Sequence, residues 1–221
     1  MVKSTSRNAR KIKLGKRSEA TASMKGTPGS RREAEESARE APVRAIFLVG
    51  FMGAGKTSVG RALSQRLGWR FEDLDDRIRA REGRSIPEIF QQSGEAGFRQ
   101  RELAALRELL AESETGEPLI AALGGGAFVQ EEVQSLLAAR ERMTVFLDAP
   151  GQELWRRCSA DSVDRPLQRE EGEFYRLYES RRPRYLKAKL QIATNGRKIE
   201  SIVSEIASSM RLGPRNSGEE K

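Results

Sequence analysis

Residues 45–57 read Ala-Ile-Phe-Leu-Val-Gly-Phe-Met-Gly-Ala-Gly-Lys-Thr, a short apolar run followed by a glycine-rich turn. The apolar run predicts a buried strand, and the periodic sequence after Thr57 predicts a helix. Gly50, Gly53 and Gly55 let the backbone turn so that successive N–H groups and the helix N-terminus point at one anion. The stretch therefore predicts a phosphate-binding loop between a strand and a helix, in preference to a glycine turn that binds nothing.

Two side chains at the end of this turn suit a nucleotide. Lys56 carries a mobile positive charge for the β and γ oxygens of a nucleoside triphosphate, and the Thr57 hydroxyl is a ligand for Mg²⁺. Phosphoryl transfer needs positioning and charge neutralisation more than a dedicated proton carrier. The loop therefore predicts a site for ATP and Mg²⁺.

The composition limits the chemistry elsewhere in the 221 residues. The chain has no histidine, which excludes a Ser-His-Asp triad and a histidine zinc site, and its single cysteine, Cys158, excludes an intramolecular disulfide. No apolar stretch approaches the roughly 20 residues that cross a bilayer. We expect a soluble, cytoplasmic monomer of one domain with no membrane segment, in which a carboxylate, a lysine or water transfers any proton.

The net charge of +8 is unevenly distributed. Residues 1–42 contain eleven Lys or Arg and five acids, with almost no large apolar side chains, so the remaining body is nearly balanced. Such a segment cannot bury enough surface to offset its ordering entropy. We predict a disordered basic leader at 1–42, a folded domain at 43–210 and a flexible tail at 211–221. The leader either contacts nucleic acid or an acidic partner, targets an organelle, or has no function of its own; we expect no nucleic-acid partner for the body.

Apolar runs and helical periodicities alternate along the body of the chain. Predicted strands occupy 45–49, 70–74, 118–123, 143–148 and 190–194. Predicted helices occupy 56–67, 76–82, 86–93, 95–113, 130–139, 151–159, 170–188 and 197–209. The pattern predicts an α/β fold, a doubly wound five-stranded parallel sheet in three α/β/α layers, with ligands at the carboxyl ends of its strands.

An acidic cluster, Glu72-Asp73-Leu74-Asp75-Asp76, ends the second predicted strand. If the strand continues through Leu74, Asp73 and Asp75 point to the same side and face one site. One carboxylate then holds Mg²⁺ and the other accepts a hydrogen bond from a substrate hydroxyl. The alternative is a turn and helix cap without chemistry.

Two further segments carry polar or glycine-rich patterns. Gly94 breaks the helical periodicity, and Arg99 and Glu102 follow three residues apart, so the glutamate can hold the guanidinium. A surface ion pair would have the same spacing. Three glycines at 124–126 end the third predicted strand and leave backbone N–H groups bare for an anionic or polyhydroxylated ligand.

In order and spacing, these motifs resemble the shikimate kinase family of P-loop kinases with the nucleoside monophosphate kinase-like fold. The resemblance runs from about residue 46 to residue 206. It rests on Gly-Phe-Met-Gly-Ala-Gly-Lys-Thr at 50–57, Asp-Leu-Asp at 73–75, Gly-Arg-Ser-Ile-Pro-Glu-Ile-Phe at 83–90, Gly-Glu-x-x-Phe-Arg-x-x-Glu at 94–102, Gly-Gly-Gly at 124–126, Arg-Pro-Leu at 165–167 and Arg-x-Pro-x-Tyr at 181–185.

The resemblance implies ATP-dependent phosphorylation of the shikimate 3-hydroxyl, giving shikimate 3-phosphate and ADP in aromatic amino-acid biosynthesis. It implies an ATP site at Gly53, Ala54, Gly55, Lys56, Thr57, Ser58, Arg165 and Arg197, with Arg165 on a mobile lid that faces the transferred phosphate and Arg197 against the adenine. Mg²⁺ would be bound by Thr57 and Asp73. Gln168 stands where the family commonly continues the lid motif with a second leucine.

The same resemblance implies a substrate site on the other side of the phosphates. Asp75 would hold the ring hydroxyls and accept the proton, Arg99 and Arg181 would bind the carboxylate, and Gly125 would donate from its backbone. Lys56, Asp75 and Arg165 would be the catalytic residues. Two alternatives stay open: a related kinase for another hydroxy acid such as gluconate, which should lack Arg99 and the three glycines, and a non-catalytic nucleotide-binding paralogue.

Overall fold

The computed structural model describes residues 43–160 and 170–213. Its sheet contains five strands: β1 Ala45–Val49, β2 Arg70–Asp73, β3 Leu119–Ala122, β4 Met143–Asp148 and β5 Leu190–Ala193. The strand order is β2-β3-β1-β4-β5, and every neighbouring pair is parallel. The prediction of a five-stranded parallel α/β sheet is confirmed.

The central position of β1 in the sheet explains its continuously apolar sequence. All five residues of β1 are buried, and so are all four residues of β3 beside it. A strand that is covered on both faces by helices has no solvent side, and its sequence is therefore continuously apolar. The carboxyl end of β1 leads directly into the glycine-rich loop at the middle of the sheet edge.

Seven helices are described: α1 Lys56–Leu67, α2 Leu74–Glu82, α3 Ile86–Thr115, α4 Glu131–Ala139, α5 Gly151–Ala160, α6 Glu171–Tyr185 and α7 Ile199–Ser209. Local signals set several of their ends. Gly68 and Gly83 terminate α1 and α2 in the left-handed conformation. Ser85 and Glu88 form a capping box at the start of α3.

Helix α3 contains the break that the sequence predicts. Its backbone is helical on both sides of Gly94, but Gly94 itself has φ 65° and ψ −177°, a conformation that glycine adopts readily and other residues rarely do. The predicted helices at 86–93 and 95–113 are therefore two parts of one kinked helix. The second part carries Arg99 and Glu102 toward the sheet.

The acidic segment after β2 differs from its prediction. β2 ends at Asp73, and Leu74 is already the first residue of α2, so Asp75 lies in the first turn of a helix and not on a strand. The Asp73 carboxylate accepts a hydrogen bond from the Asp75 backbone N–H at 3.1 Å and caps the helix. The prediction that Asp73 and Asp75 point to the same side of one strand was wrong, because the Asp73 side chain caps the helix and the strand ends one residue earlier than predicted.

Several predictions lie outside the described residues. They are the leader at 1–42, Arg165 with the predicted mobile lid, and the tail from residue 214 onward. Within the described ranges, no helix is both long and apolar enough to cross a bilayer.

Candidate active site

Two adjoining cavities lie along the carboxyl edge of the sheet. The larger has a volume of about 850 Å³ and follows the glycine-rich loop, and the smaller has a volume of about 140 Å³. Met52, Asp75, Gly124 and Gly125 line both of them. The larger cavity is also lined by the predicted residues Gly53, Ala54, Gly55, Lys56, Thr57, Ser58, Asp73 and Arg197, and the smaller by Arg99 and Arg181. All predicted site residues that the structure describes thus meet at one edge.

Gly53 shows why the loop follows this path. Its φ is 76°, and a Cβ at this position would lie 2.8 Å from the Cys158 sulfur and 3.1 Å from the Leu154 carbonyl oxygen of α5. Gly55 then caps α1 in the left-handed conformation without a side-chain hydrogen bond. The first N–H groups of α1 therefore face the larger cavity with no side chain capping them, which is the arrangement that binds phosphate.

Lys56 lies across this loop. Its Nζ donates to the carbonyl oxygens of Gly50 and Phe51 at 2.9 and 3.0 Å. These contacts hold the ammonium at the mouth of the loop, in the larger cavity. A charge fixed beside backbone N–H groups at a helix N-terminus reinforces an anion site.

A second cation, Arg157, reaches the loop from α5. Its Nη1 donates to the Gly53 carbonyl at 3.4 Å and its Nε donates to Glu153 at 2.8 Å. Hydrogen bonds from Arg156 and Arg157 lower the pKa of Glu153 to about 2. The sequence indicates the ion pair of Arg157 through its spacing from Glu153 along a helix, but it gives no signal for the contact of Arg157 with the loop.

Thr57 and Asp73 present two oxygens at the other side of the loop. The Thr57 hydroxyl donates to Asp73 Oδ2 at 2.7 Å. A hydroxyl and a carboxylate are the hard oxygen ligands that Mg²⁺ prefers, and Mg²⁺ usually takes its remaining ligands from water and phosphate. In the described part of the chain there is no cluster of three or more acidic, histidine or cysteine ligands. The pair fits a metal held jointly with a nucleotide, and it does not fit an all-protein metal site.

Asp75 lies where the two cavities join. Burial raises the pKa of its carboxyl group, and the neighbouring charge of Asp73 raises it further, while Lys56 opposes both effects. A carboxylate with a raised pKa is a better proton acceptor than an ordinary surface aspartate. Its position and its raised pKa suit a general base that accepts a proton from a ligand in one cavity as that ligand reacts with a ligand in the other.

Arg99 is fixed at the wall of the smaller cavity. Its Nη1 donates to Glu102 at 2.7 Å and its Nη2 to Glu95 at 3.1 Å. Glu102 is completely buried, and burial raises the pKa of its carboxyl group against the opposing charge of Arg99. The predicted pairing of Arg99 and Glu102 is present, and it is buried and not a surface ion pair.

Gly126 makes room for that guanidinium. A Cβ on residue 126 would lie 2.2 Å from Arg99 Nη2 and 2.7 Å from its Cζ, closer than atoms can approach. A larger residue at 126 would displace the guanidinium from this position, so the glycine serves close packing and not a special backbone conformation.

Arg181 reaches the same cavity from α6. Its guanidinium carbon lies 6.0 Å from the centre of the Phe51 ring, within the range of a cation–π contact. One turn later, the Tyr185 hydroxyl donates to the Gly125 carbonyl oxygen and ties the end of α6 to the glycine loop. Tyr185 was visible in the sequence only as part of a motif, because its partner is distant along the chain.

Arg197 also lines the larger cavity. Its guanidinium donates to the Ala193 carbonyl at 3.0 Å and to the Ser201 hydroxyl at 2.9 Å, and it pairs with Glu205 at 2.5 Å. Thr194, Ile199 and Ile202 line the cavity beside it. A planar, fixed guanidinium next to apolar side chains is a suitable surface for an aromatic base.

Comparisons with known proteins agree with this geometry. The family model described as shikimate kinase matches residues 52–211. The shikimate kinase of Persephonella marina is 35% identical over 170 residues, which cover 76% of this chain and 100% of that protein. The shikimate kinase of Thermus thermophilus is 38% identical over 168 residues, covering 75% of this chain and 89% of that protein.

A solved structure shows the same similarity. The shikimate kinase of Acinetobacter baumannii, in complex with shikimate, superposes with a TM-score of 0.70 at 36% identity, covering 76% of this chain and 93% of that one. Because the family model spans more than half of the sequence and whole relatives are matched along their length, the chain belongs to the shikimate kinase family.

Proposed function

We propose that this protein transfers the γ-phosphoryl group of ATP to the 3-hydroxyl of shikimate, giving shikimate 3-phosphate and ADP, as a step of aromatic amino-acid biosynthesis. The observation that carries the proposal is the smaller cavity, where Arg99 and Arg181 face a space that opens onto the phosphate loop beside Asp75. Two guanidinium groups suit a carboxylate, and an adjoining carboxylate suits a hydroxyl. Shikimate has both groups, and the related A. baumannii enzyme was solved with shikimate bound.

The larger cavity is proposed to bind ATP. Residues 53–58 would surround the phosphates with backbone N–H groups, Lys56 would neutralise the β and γ oxygens, and Arg197 would lie against the adenine. Arg165 is proposed to face the transferred phosphate, although it lies outside the described residues. We add Arg157 to this set, because its guanidinium lines the same cavity and touches the loop.

Thr57 and Asp73 are proposed to hold Mg²⁺, since their oxygens already lie 2.7 Å apart at the phosphate loop. When bound, the ion would neutralise charge on the phosphate oxygens. The residues themselves fix its position: Asp73 is held by the Asp75 backbone N–H, and Thr57 belongs to the first turn of α1.

Asp75 is proposed to accept the proton of the 3-hydroxyl while that oxygen forms its bond to phosphorus and the bond from phosphorus to the ADP oxygen breaks. The raised pKa of Asp75 makes its carboxylate a stronger base, while the neighbouring charges of Lys56 and Arg99 favour its ionised form. Arg99 and Arg181 would hold the substrate carboxylate so that the hydroxyl faces the phosphate loop. The step is mainly one of positioning, as expected for phosphoryl transfer.

The two alternatives carry less support. A kinase for gluconate should lack Arg99 and the three glycines at 124–126, and this chain has them. A non-catalytic paralogue should have lost Lys56, Asp75 or one arginine of the pair, and all are present. The monomeric state and the cytoplasmic location remain predictions.

A coupled assay of ADP release tests the substrate. Shikimate, gluconate and nucleoside monophosphates are supplied in parallel with ATP and Mg²⁺, and we expect turnover with shikimate alone. Turnover with gluconate or a nucleotide, and none with shikimate, would overturn the proposal.

The two aspartates test the division of roles within the site. We expect Asp75→Asn to abolish shikimate-dependent turnover while nucleotide binding changes little, because it removes the base and leaves the phosphate loop intact. Asp73→Asn should raise the Mg²⁺ concentration needed for half-maximal nucleotide binding. Nucleotide binding is measured as a function of Mg²⁺ for both variants, and identical Mg²⁺ curves would contradict the assignment.

A further inference from the structure

Gln130 occupies the N-cap position of α4 but does not cap the helix. N-cap residues are usually Ser, Thr, Asp or Asn, whose short side chains accept hydrogen bonds from the first turn. The Gln130 side chain makes no such bond. Its amide Nε2 donates to Glu102 Oε2 at 2.8 Å instead, a partner on a different helix.

Glu102 receives two donors on one oxygen. Arg99 Nη1 and Gln130 Nε2 lie 2.7 and 2.8 Å from Oε2, whereas Oε1 has no hydrogen-bond partner among the described residues. If Arg99 were its only hydrogen-bond donor, the Glu102 carboxylate could rotate about its Cγ–Cδ bond. The amide, which approaches from α4, fixes the carboxylate in one orientation.

The surroundings of Glu102 make this orientation matter. A Cβ placed on Gly124 would lie 2.8 Å from Glu102 Oε1 and 2.9 Å from Asp75 Oδ1, so these two carboxylates approach the same point of the glycine loop from opposite elements. Asp75 also adds to the charge repulsion that Glu102 experiences. A rotated Glu102 would both release Arg99 and disturb the space in front of Asp75.

We propose that Gln130 is a positioning residue for the carboxylate-bearing substrate: by holding Glu102, it keeps the Arg99 guanidinium facing the smaller cavity. Gln130 lies in neither cavity lining, and it acts through Glu102 and not by touching the ligand. This inference rests on the proposed function, because it concerns the same carboxylate site. It predicts that replacing Gln130 changes the KM for shikimate and leaves the KM for ATP unchanged.

Gln134 offers a matched control. It lies one turn further along α4, and its Nε2 donates to the Phe128 carbonyl at 2.7 Å, a backbone partner. Gln130→Met and Gln134→Met therefore each remove one amide hydrogen bond of similar length from the same helix. Gln130→Asn adds a second test, because asparagine is a better N-cap residue but is one methylene too short to keep the bond to Glu102.

The experiment measures KM for shikimate and for ATP, kcat, and the thermal midpoint for these three variants and the wild type. We expect Gln130→Met and Gln130→Asn to raise KM for shikimate by about fivefold, the ratio that corresponds to one hydrogen bond, with KM for ATP unchanged. The thermal midpoint of Gln130→Asn should not fall. Gln134→Met should keep the wild-type KM for shikimate.

Three outcomes would overturn the inference. They are a wild-type KM for shikimate in Gln130→Met, recovery of the wild-type KM in Gln130→Asn, which would indicate a role in capping alone, and an equal change in Gln134→Met. If the wild-type enzyme itself shows no shikimate-dependent ADP release, the proposed function fails and this inference fails with it. That result is distinguishable, because it does not involve the variants.

Discussion

The two ends of the active-site edge are built in different ways. At the phosphate-loop end, one contiguous stretch supplies the backbone turn, Lys56 and Thr57. At the other end, the smaller cavity takes Arg99 from α3, Arg181 from α6 and three glycines from the loop after β3. The first site is chiefly backbone held by local conformation, and the second is chiefly side chains held by burial and charge.

This difference shows what each kind of ligand requires. Phosphate oxygens can be bound by N–H groups that the chain already exposes at a helix N-terminus, so a short motif is sufficient. A planar carboxylate needs guanidinium groups in a fixed orientation, and long side chains must be held to achieve it. Arg99 is held by the buried Glu102, whereas Arg181 is next to the Phe51 ring and has no ion-pair partner within the described ranges.

The largest expected effect is at the phosphate-loop end. We expect Lys56→Met to lower kcat by about 10² to 10³, the range observed when a transition-state charge contact is lost, with the fold unchanged. Lys189→Met is the control, because Lys189 Nζ also donates to a backbone carbonyl, that of Glu141 at 2.9 Å, far along the chain from the loop. Steady-state kinetics with the two variants tests this, and more than about a tenth of wild-type turnover in Lys56→Met would rule out the phosphate role.

An intermediate effect is expected from the arginine pair. Arg99→Lys and Arg181→Lys keep the charge but lose the planar fork, so each should weaken shikimate binding by about tenfold, with ATP affinity nearly unchanged. The double variant should lose less than the product of the two, because both residues hold one group. Shikimate affinity is measured by calorimetry in a double-mutant cycle.

Two exposed arginines serve as controls for that cycle. Arg107 on α3 pairs with Glu132 and Arg184 on α6 pairs with Glu131, and neither arginine lines the larger or the smaller cavity of the active site. Lysine at these positions should leave shikimate affinity unchanged. Strict additivity of Arg99→Lys and Arg181→Lys, or a loss in ATP affinity instead, would mean that the two arginines have different ligands.

The smallest expected effect is the change of shikimate affinity with pH. It distinguishes the two partners of Arg99, the buried Glu102 and the exposed Glu95. Burial raises the pKa of Glu102, so its negative charge is present above that raised pKa and is lost as the pH falls through it. Shikimate affinity should therefore begin to fall at a pH above the ordinary glutamate value of about 4.3. Glu102→Gln should bind several-fold more weakly at neutral pH and lack this part of the pH dependence.

Glu95 provides the comparison for this measurement, because it also pairs with Arg99 but is 68% exposed. Glu95→Gln should keep the wild-type pH dependence, because an exposed ion pair contributes little to holding Arg99. The carboxyl group of shikimate titrates equally in all variants and therefore does not affect the comparison. Shikimate affinity is measured by calorimetry at a series of pH values from near the ordinary glutamate pKa of about 4.3 up to neutral pH. Identical profiles for Glu102→Gln and the wild type would contradict the role of Glu102.

The sequence predicted the fold more closely than the site, for physical reasons. α1 occupies the predicted 56–67, and every strand end lies within one residue of its prediction, because burial patterns and glycine stops are local signals. The placement of Asp75 on a strand failed because a side-chain cap by Asp73 competes with one more residue of strand. That competition is decided by a single hydrogen bond, which periodicity does not detect.

Contacts between elements that are distant along the chain could not be predicted from the sequence, for a different reason. The hydrogen bonds of Tyr185 with Gly125, of Gln130 with Glu102 and of Arg157 with Gly53 join residues on separate elements. Neither spacing nor propensity indicates such pairs, since each depends on how the elements pack. The family resemblance predicted the residues of the arginine pair, but not the side chains that hold it.

The packing of Gly126 against Arg99 restricts how this protein can vary. Since the guanidinium fills the volume that a methyl group on residue 126 would occupy, the two positions are not independent in sequence space. In a library that randomises both, alanine at 126 should fit only where the residue at 99 is shorter or its end group has moved out of this volume. Either change takes the guanidinium away from the smaller cavity, so a selection for shikimate phosphorylation should keep glycine at 126 wherever it keeps arginine at 99.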